Sequence, residues 1–167
     1  LGHQSIALVD HMGFYGSARA HAEPQKVGIK AITGATLESV SEFHQLTILN
    51  KSQTGYQNLS RLLTSLHCQP AIDLFTHHDL TGTHAILSSE SLLKLTKANL
   101  LSAANHLLRH FGPGNVSIAL FRHFRRGEER INQLLSDLGD FLKIPIVASN
   151  SPTYSQHSDR LLSDAFT

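Results

Sequence analysis

The sequence predicts an α/β fold built on a mainly parallel sheet, and three observations carry that prediction. Short apolar runs alternate along the chain with longer stretches of helical periodicity. The apolar runs are continuous rather than alternating, as strands buried on both faces are. Gly, Pro and Ser clusters punctuate the segments, and no internal repeat, linker or low-complexity tract interrupts them.

The elements follow in order. Residues 5–9 (Ser-Ile-Ala-Leu-Val) form a first strand, stopped by Asp10-His11. Gly13 and Gly16 bracket a turn before a helix over 17–26, which Pro24 threatens to shorten. Residues 30–35 and 46–49 are the second and third strands. Ser52-Gln53-Thr54 opens a helix whose Tyr56, Leu59, Leu62, Leu63 and Leu66 share one face. Residues 68–83 are rich in His and Asp and read as loop with one short helix. Residues 85–87 form a fourth strand. Ser88-Ser89 caps a long helix over 90–111, which Gly112-Pro113-Gly114 ends. A fifth strand covers 116–121. A helix over 128–142 places Ile131, Leu134, Leu135, Leu138 and Leu142 on one face. A sixth strand covers 144–148, and a last helix runs from about 157 to 166.

Composition narrows the function. With 167 residues, 41% of them apolar, the chain suits one domain over residues 1–167 with a substantial core. Lys and Arg number 14 against 13 Asp and Glu, so no global field attracts nucleic acid or an anionic membrane. One cysteine, Cys68, excludes an internal disulfide framework and a multi-Cys zinc site. No apolar run reaches the ~20 residues of a membrane span, and no signal-peptide pattern opens the chain. The cytoplasm is the expected compartment. A start at Leu1 rather than Met reads as a fragment of a longer protein or a processed chain.

In parallel α/β folds, functional groups gather at the C-terminal ends of strands. Those positions hold Asp10 and His11, then Thr36, then Ser88, Ser89 and Glu90, then Arg122 and His123, then Asn150, Ser151 and Thr153; His44 and Gln45 lie beside strand three. In this order the motifs resemble the PHP (polymerase and histidinol phosphatase) domain of bacterial C-family DNA polymerases, replicative and error-prone. The resemblance rests on Asp10-His11-Met12-Gly13-Phe14-Tyr15-Gly16, on Gly34-Ala35-Thr36-Leu37, and on Leu46-Thr47-Ile48-Leu49 followed by residues 55–64. Arg122-His123, residues 144–150, and Arg160, Leu162, Asp164 and Thr167 complete it. It covers nearly the whole chain and implies an incomplete (βα) barrel of the PHP type, lacking the opening strand with its His-x-His pair.

Active members of that family hydrolyse phosphoesters with clustered divalent metals. Here the departures carry the message. His11 stands at a ligand position, but the family's Glu is Thr36, and its His is Gln45, one residue from His44. Glu90 aligns with a Cys ligand, Ser151 and Thr153 replace an Asp-x-His, and Ala119 stands where Glu is frequent. Hydroxyls are neutral, weak ligands, and a slip from 45 to 44 turns a side chain to the other strand face. The resemblance therefore implies a relic or weak site of His11, Glu90, Asp10 and His44, with no cofactor expected beyond a divalent Zn, Mn or Mg. The expected role is a scaffold, contacting the remainder of a polymerase or its proofreading exonuclease. The rival reading is a metal-dependent phosphoesterase or 3′–5′ exonuclease. The missing strand predicts an open barrel, a homodimer covering the open sheet edge, or poor solubility.

Other candidates are weaker. Arg122, Arg125, Arg126 and Arg130 form a basic patch for DNA or an acidic partner, with Glu128 and Glu129 beside it. His106 and His110 stand at i and i+4 without the Glu of a zinc-protease motif, and His77-His78-Asp79 lies in a loop. No Gly-x-Ser-x-Gly turn or Gly-rich phosphate loop is present.

Overall fold

The computed structural model describes residues 2–26, 28–69, 78–89, 97–150, 152 and 157–161. Its elements are β1 (Ser5–His11), α1 (Ser17–Lys26), β2 (Lys30–Val40), β3 (Phe43–Asn50), α2 (Gln53–Cys68), β4 (Thr83–Ser88), α3 (Lys97–Phe111), β5 (Val116–Leu120), α4 (Glu128–Leu142) and β6 (Ile146–Ala148). A 3₁₀ turn follows at His157–Asp159. The six strands form one sheet in sequence order, curled into a half-barrel with β1 and β6 at its edges. This is the open, incomplete barrel that the sequence implies.

Two strand pairings depart from a uniform parallel sheet. β1 pairs with β2, β4 with β5 and β5 with β6 in parallel, but β3 is antiparallel to both its neighbours. The cause is β2, which runs to Val40 instead of ending at residue 35. Only Ser41 and Glu42 then separate it from β3, and Ser41 takes φ +48° in the turn. So short a link permits only a hairpin, because a parallel return needs a dozen or more residues. β3 therefore begins at the pole where β1, β2, β4 and β5 end. Gly34 permits the close pairing: a Cβ there would lie 2.5 Å from the Ile48 carbonyl oxygen.

Helices cover one face of the sheet. Alternation sends Ala35 and Leu37 of β2, Leu46 and Ile48 of β3, Ala85 and Leu87 of β4, and Val116 and Ile118 of β5 to that face, all fully buried. Against them pack Leu59, Leu62, Leu63 and Leu66 of α2, Ala103, Ala104 and Leu107 of α3, and Leu135 and Leu138 of α4. Each buried leucine contributes roughly 1.5–3 kcal/mol relative to exposure. Ser52 caps α2 by accepting the Gly55 N–H at 3.1 Å. The helix start seats on the loop before β4, where a Cβ on Gly55 would overlap the Gly82 carbonyl. Asn58, buried, donates to the Thr81 carbonyl oxygen at 3.0 Å.

α4 sits rotated from its expected face. Ile131 is exposed and Asn132 is buried, its amide donating to the Phe121 carbonyl oxygen at 2.7 Å. An unpaired carbonyl just past β5 outweighs one more apolar contact. β6 starts at Ile146 rather than at 144, although Ile144 itself is buried. The helix expected over 90–111 is described from Lys97, and that expected over 157–166 only as far as residue 161.

Candidate functional site

The strand ends set out a row of side chains on the face that no described helix covers. The register places His11 of β1 beside Thr36 of β2, and Thr36 beside Thr47 of β3. The Thr36 and Thr47 hydroxyls meet at 3.3 Å. Two residues further along β2, Glu38 lies beside Gln45, and across the sheet Ser88 of β4 lies beside Ala119 of β5. The His11 Nδ1 is 3.5 Å from Glu38 Oε1, with both side chains exposed. An exposed pair of this kind is worth at most about 1 kcal/mol. Sequence reading missed Glu38, because it ended β2 three residues earlier; the apolar–polar alternation through Leu37 was the available signal.

The other expected ligands point elsewhere. Asp10 precedes His11, so pleating turns it to the opposite face. Its Oδ2 accepts the Gly16 N–H at 2.7 Å and so ties down the turn into α1. That turn is fixed further at Met12, in the left-handed region at φ +51°, whose N–H donates to Thr36 O at 2.9 Å. The Met12 carbonyl oxygen meets His67 Nε2 at 2.8 Å, and Phe14 stacks on Tyr56 at 4.8 Å. His44 shares the helix-covered face with Leu46 and Ile48. Its Nδ1 is buried with no hydrogen-bond partner among the described residues. Glu90, Ser151 and Thr153 lie outside the described residues. Among the described residues, no group of three or more His, Cys, Asp or Glu is placed to hold a metal ion. The described strand-end donors are the His11–Glu38 and His123–Glu128 pairs, hydroxyls and an amide, which by themselves fall short of a multi-metal cluster.

The remaining sequence candidates resolve individually. His106 Nδ1 lies 3.1 Å from Glu42 Oε1, and its ring meets the His110 ring edge-on at 5.6 Å. His77 lies outside the described residues, while the Thr81 hydroxyl and N–H hold the Asp79 carboxyl below the usual carboxylate range. Cys68 is a free, exposed thiol. In the loop after β5, Arg122 pairs with Glu129 at 3.3 Å, and Glu128 folds back onto backbone N–H groups. Arg125, Arg126 and Arg130 are exposed beside them.

A feature the sequence did not reveal lies at the opposite pole of the sheet. A cavity of about 700 Å³ opens where β2 and β4 begin, with Lys30, Asn50, Lys51, Tyr56 and His84 in its wall. His84 shares a 2.9 Å hydrogen bond with Ser117, which is 6% exposed. Burial first, and the Lys51 charge second, push the His84 imidazole below its ordinary value.

Comparison with known proteins agrees with this architecture. The chain matches the PHP domain over residues 1–143. It is 28% identical to the error-prone DNA polymerase of Symbiobacterium thermophilum over 193 residues, covering 99% of this chain and 18% of that protein. It is 26% identical to the DNA polymerase III subunit alpha of Treponema pallidum over 189 residues, covering 98% of this chain and 16% of that one. With the Xylella fastidiosa subunit the identity is 29% over 181 residues, covering 99% and 15% respectively. The chain thus spans less than a fifth of the length of these curated relatives. No helix among the described residues is long and apolar enough to cross a membrane. The strand order, the strand-end motifs and a match over most of the sequence lead to one conclusion: the chain belongs to the PHP domain family.

Proposed function

We propose that this chain is a non-catalytic PHP domain of a bacterial C-family DNA polymerase, acting as a scaffold in DNA replication or repair in the cytoplasm. One observation carries the reading: among the described residues, the uncovered strand ends offer Thr36, Gln45, Thr47 and Ser88 around the His11–Glu38 pair. Neutral hydroxyls and amides cannot neutralise clustered divalent ions. Primer extension is work for the remainder of such polymerases, of which this match covers less than a fifth. What the domain retains is its packed core and its surfaces, which serve contact with the rest of a polymerase or with a proofreading exonuclease.

The edge strands β1 and β6 are the natural places for such contact, because each presents unpaired backbone groups among the described residues. In the isolated chain, a second copy is the available partner. Light scattering across a concentration series is expected to show a dimer, and a monomer at every concentration excludes self-pairing.

Elemental analysis of protein purified without added metal or a His tag tests the scaffold reading. Below about a tenth of an equivalent of zinc, manganese or iron, with a folded circular dichroism spectrum, the scaffold stands. About two or more equivalents favour the rival reading, a divalent-metal phosphoesterase or 3′–5′ exonuclease. The observation on its side is the His11–Glu38 contact at the strand-end pole. It requires phosphoester hydrolysis that is lost with chelator and with His11→Ala.

A further inference from the structure

We propose that the loop joining β5 to α4, residues 121–127, is a docking site for single-stranded DNA, with Phe124 as the base platform and Arg125, Arg126 and Arg130 as phosphate contacts. Phe124 is 91% exposed, the most exposed large apolar side chain among the described residues. It also sits in the left-handed region at φ +59°, a conformation that a bulky side chain rarely adopts. Neither feature helps the fold, and both are held in place. On either side of Phe124, the N–H groups of His123 and Arg125 donate to Glu128 Oε2 at 2.8 and 3.3 Å. The His123 ring stacks on Phe121 at 5.6 Å, and its Nε2 meets the Asn150 carbonyl oxygen at 2.9 Å. Asn132 fixes the Phe121 carbonyl from below. The loop is thus anchored at both flanks while its aromatic ring faces water.

The electrostatics select the ligand. Glu128 and Glu129 would cancel a basic patch if they were free, but each is engaged. Glu128 binds the loop backbone, whose N–H groups, that of His123 foremost, hold its carboxyl below the usual range. Glu129 binds Arg122. No carboxylate of the described residues pairs with the guanidinium of Arg125, Arg126 or Arg130. A chain of net charge +1 thus places three exposed cations within six positions of one exposed ring. Single-stranded nucleic acid presents both complements, an unpaired base to stack and phosphates to neutralise. A duplex hides its bases, and an acidic peptide leaves Phe124 without a planar partner. The choice of DNA over RNA rests on the polymerase reading.

The test is fluorescence anisotropy of a labelled oligothymidylate titrated with the full chain at low salt. Saturable binding is expected. Phe124→Ala is expected to weaken it roughly tenfold, and Phe124→Trp to retain it. The double variant Arg125→Ala/Arg126→Ala should flatten the log–log salt dependence by about 1.4, two phosphates at ~0.7 each. Circular dichroism verifies that these surface variants fold. Absence of binding at low salt overturns the proposal. So does binding that Phe124→Ala leaves unchanged, which is ion exchange alone, and so does equal displacement by polyglutamate, which marks an acidic protein partner. Tighter binding of oligouridylate overturns the assignment to DNA. A metal-replete protein would end the scaffold reading and leave this test intact, since none of these residues belongs to the His11–Glu38 pair.

Discussion

The two faces of one sheet have been put to different uses. On the helix-covered face, Ala35, Leu37, Leu46, Ile48, Ala85, Leu87 and Ile118 are fully buried and apolar. On the other, β1 to β4 present His11, Thr36, Glu38, Gln45, Thr47, His84 and Ser88, all half-buried or exposed. Because side chains alternate along each strand, β2, β3 and β4 contribute to both sets. Packing constrains the first set to shape and volume. The second set answers only to strand propensity and chemistry, so it can exchange a carboxylate for a hydroxyl while the fold persists. The difference teaches that such a sheet can vary its polar residues without losing its architecture, provided the changes fall on the uncovered face.

The comparison breaks most easily on stability. Leu107→Ala on α3 removes a fully buried side chain from the centre of the helix-covered core. Urea denaturation should show a loss of about 2–5 kcal/mol. Thr47→Val on the uncovered face removes only the hydroxyl contact to Thr36. It should change stability by no more than about 0.5 kcal/mol, since Val suits a strand as well as Thr does. Equal losses in the two variants would mean that the uncovered face is packed as tightly as the other.

The same division explains what was legible in the sequence. The helix-covered face announced itself: the apolar runs 46–49, 85–87 and 116–121 became β3, β4 and β5, and the Leu spacing of 59–66 became the buried stripe of α2. The uncovered face was harder to read, because polar residues within a strand look like its end. The second strand was expected to end at residue 35, yet Thr36 and Glu38 are strand residues whose neighbours Ala35 and Leu37 are buried. That one misreading hid both the β2–β3 hairpin and the Glu38 partner of His11. The length of the link was a usable clue, since even the ten residues 36–45 between the two expected strands fall short of the dozen that a parallel return needs. Asp10 and His11 could be named from the sequence, but not their separation. Pleating sends one to the Gly16 N–H and the other to Glu38, and only the register with β2 shows which. The 700 Å³ cavity left no trace in the sequence, because it is assembled from four separate stretches of chain.

The smallest expected effect sharpens the comparison through pH. His84 belongs to the uncovered face, but its ring is partly withdrawn from water against Ser117, with the Lys51 charge nearby. Both burial and Lys51 disfavour the imidazolium, so the folded-state pKa lies below the unfolded one. Between those two values the unfolded chain binds more protons, and stability there rises with pH. The contribution is thus complete above the ordinary histidine value of ~6.5 and declines as pH falls below it toward the folded pKa. The informative quantity is the difference between the wild type and His84→Gln, measured by urea denaturation from neutral pH down into the mildly acidic range. That difference should favour the wild type less at acidic pH than at neutral pH. A difference independent of pH would mean that His84 is solvated like a surface residue, and that the uncovered face is polar throughout with no packed interior of its own.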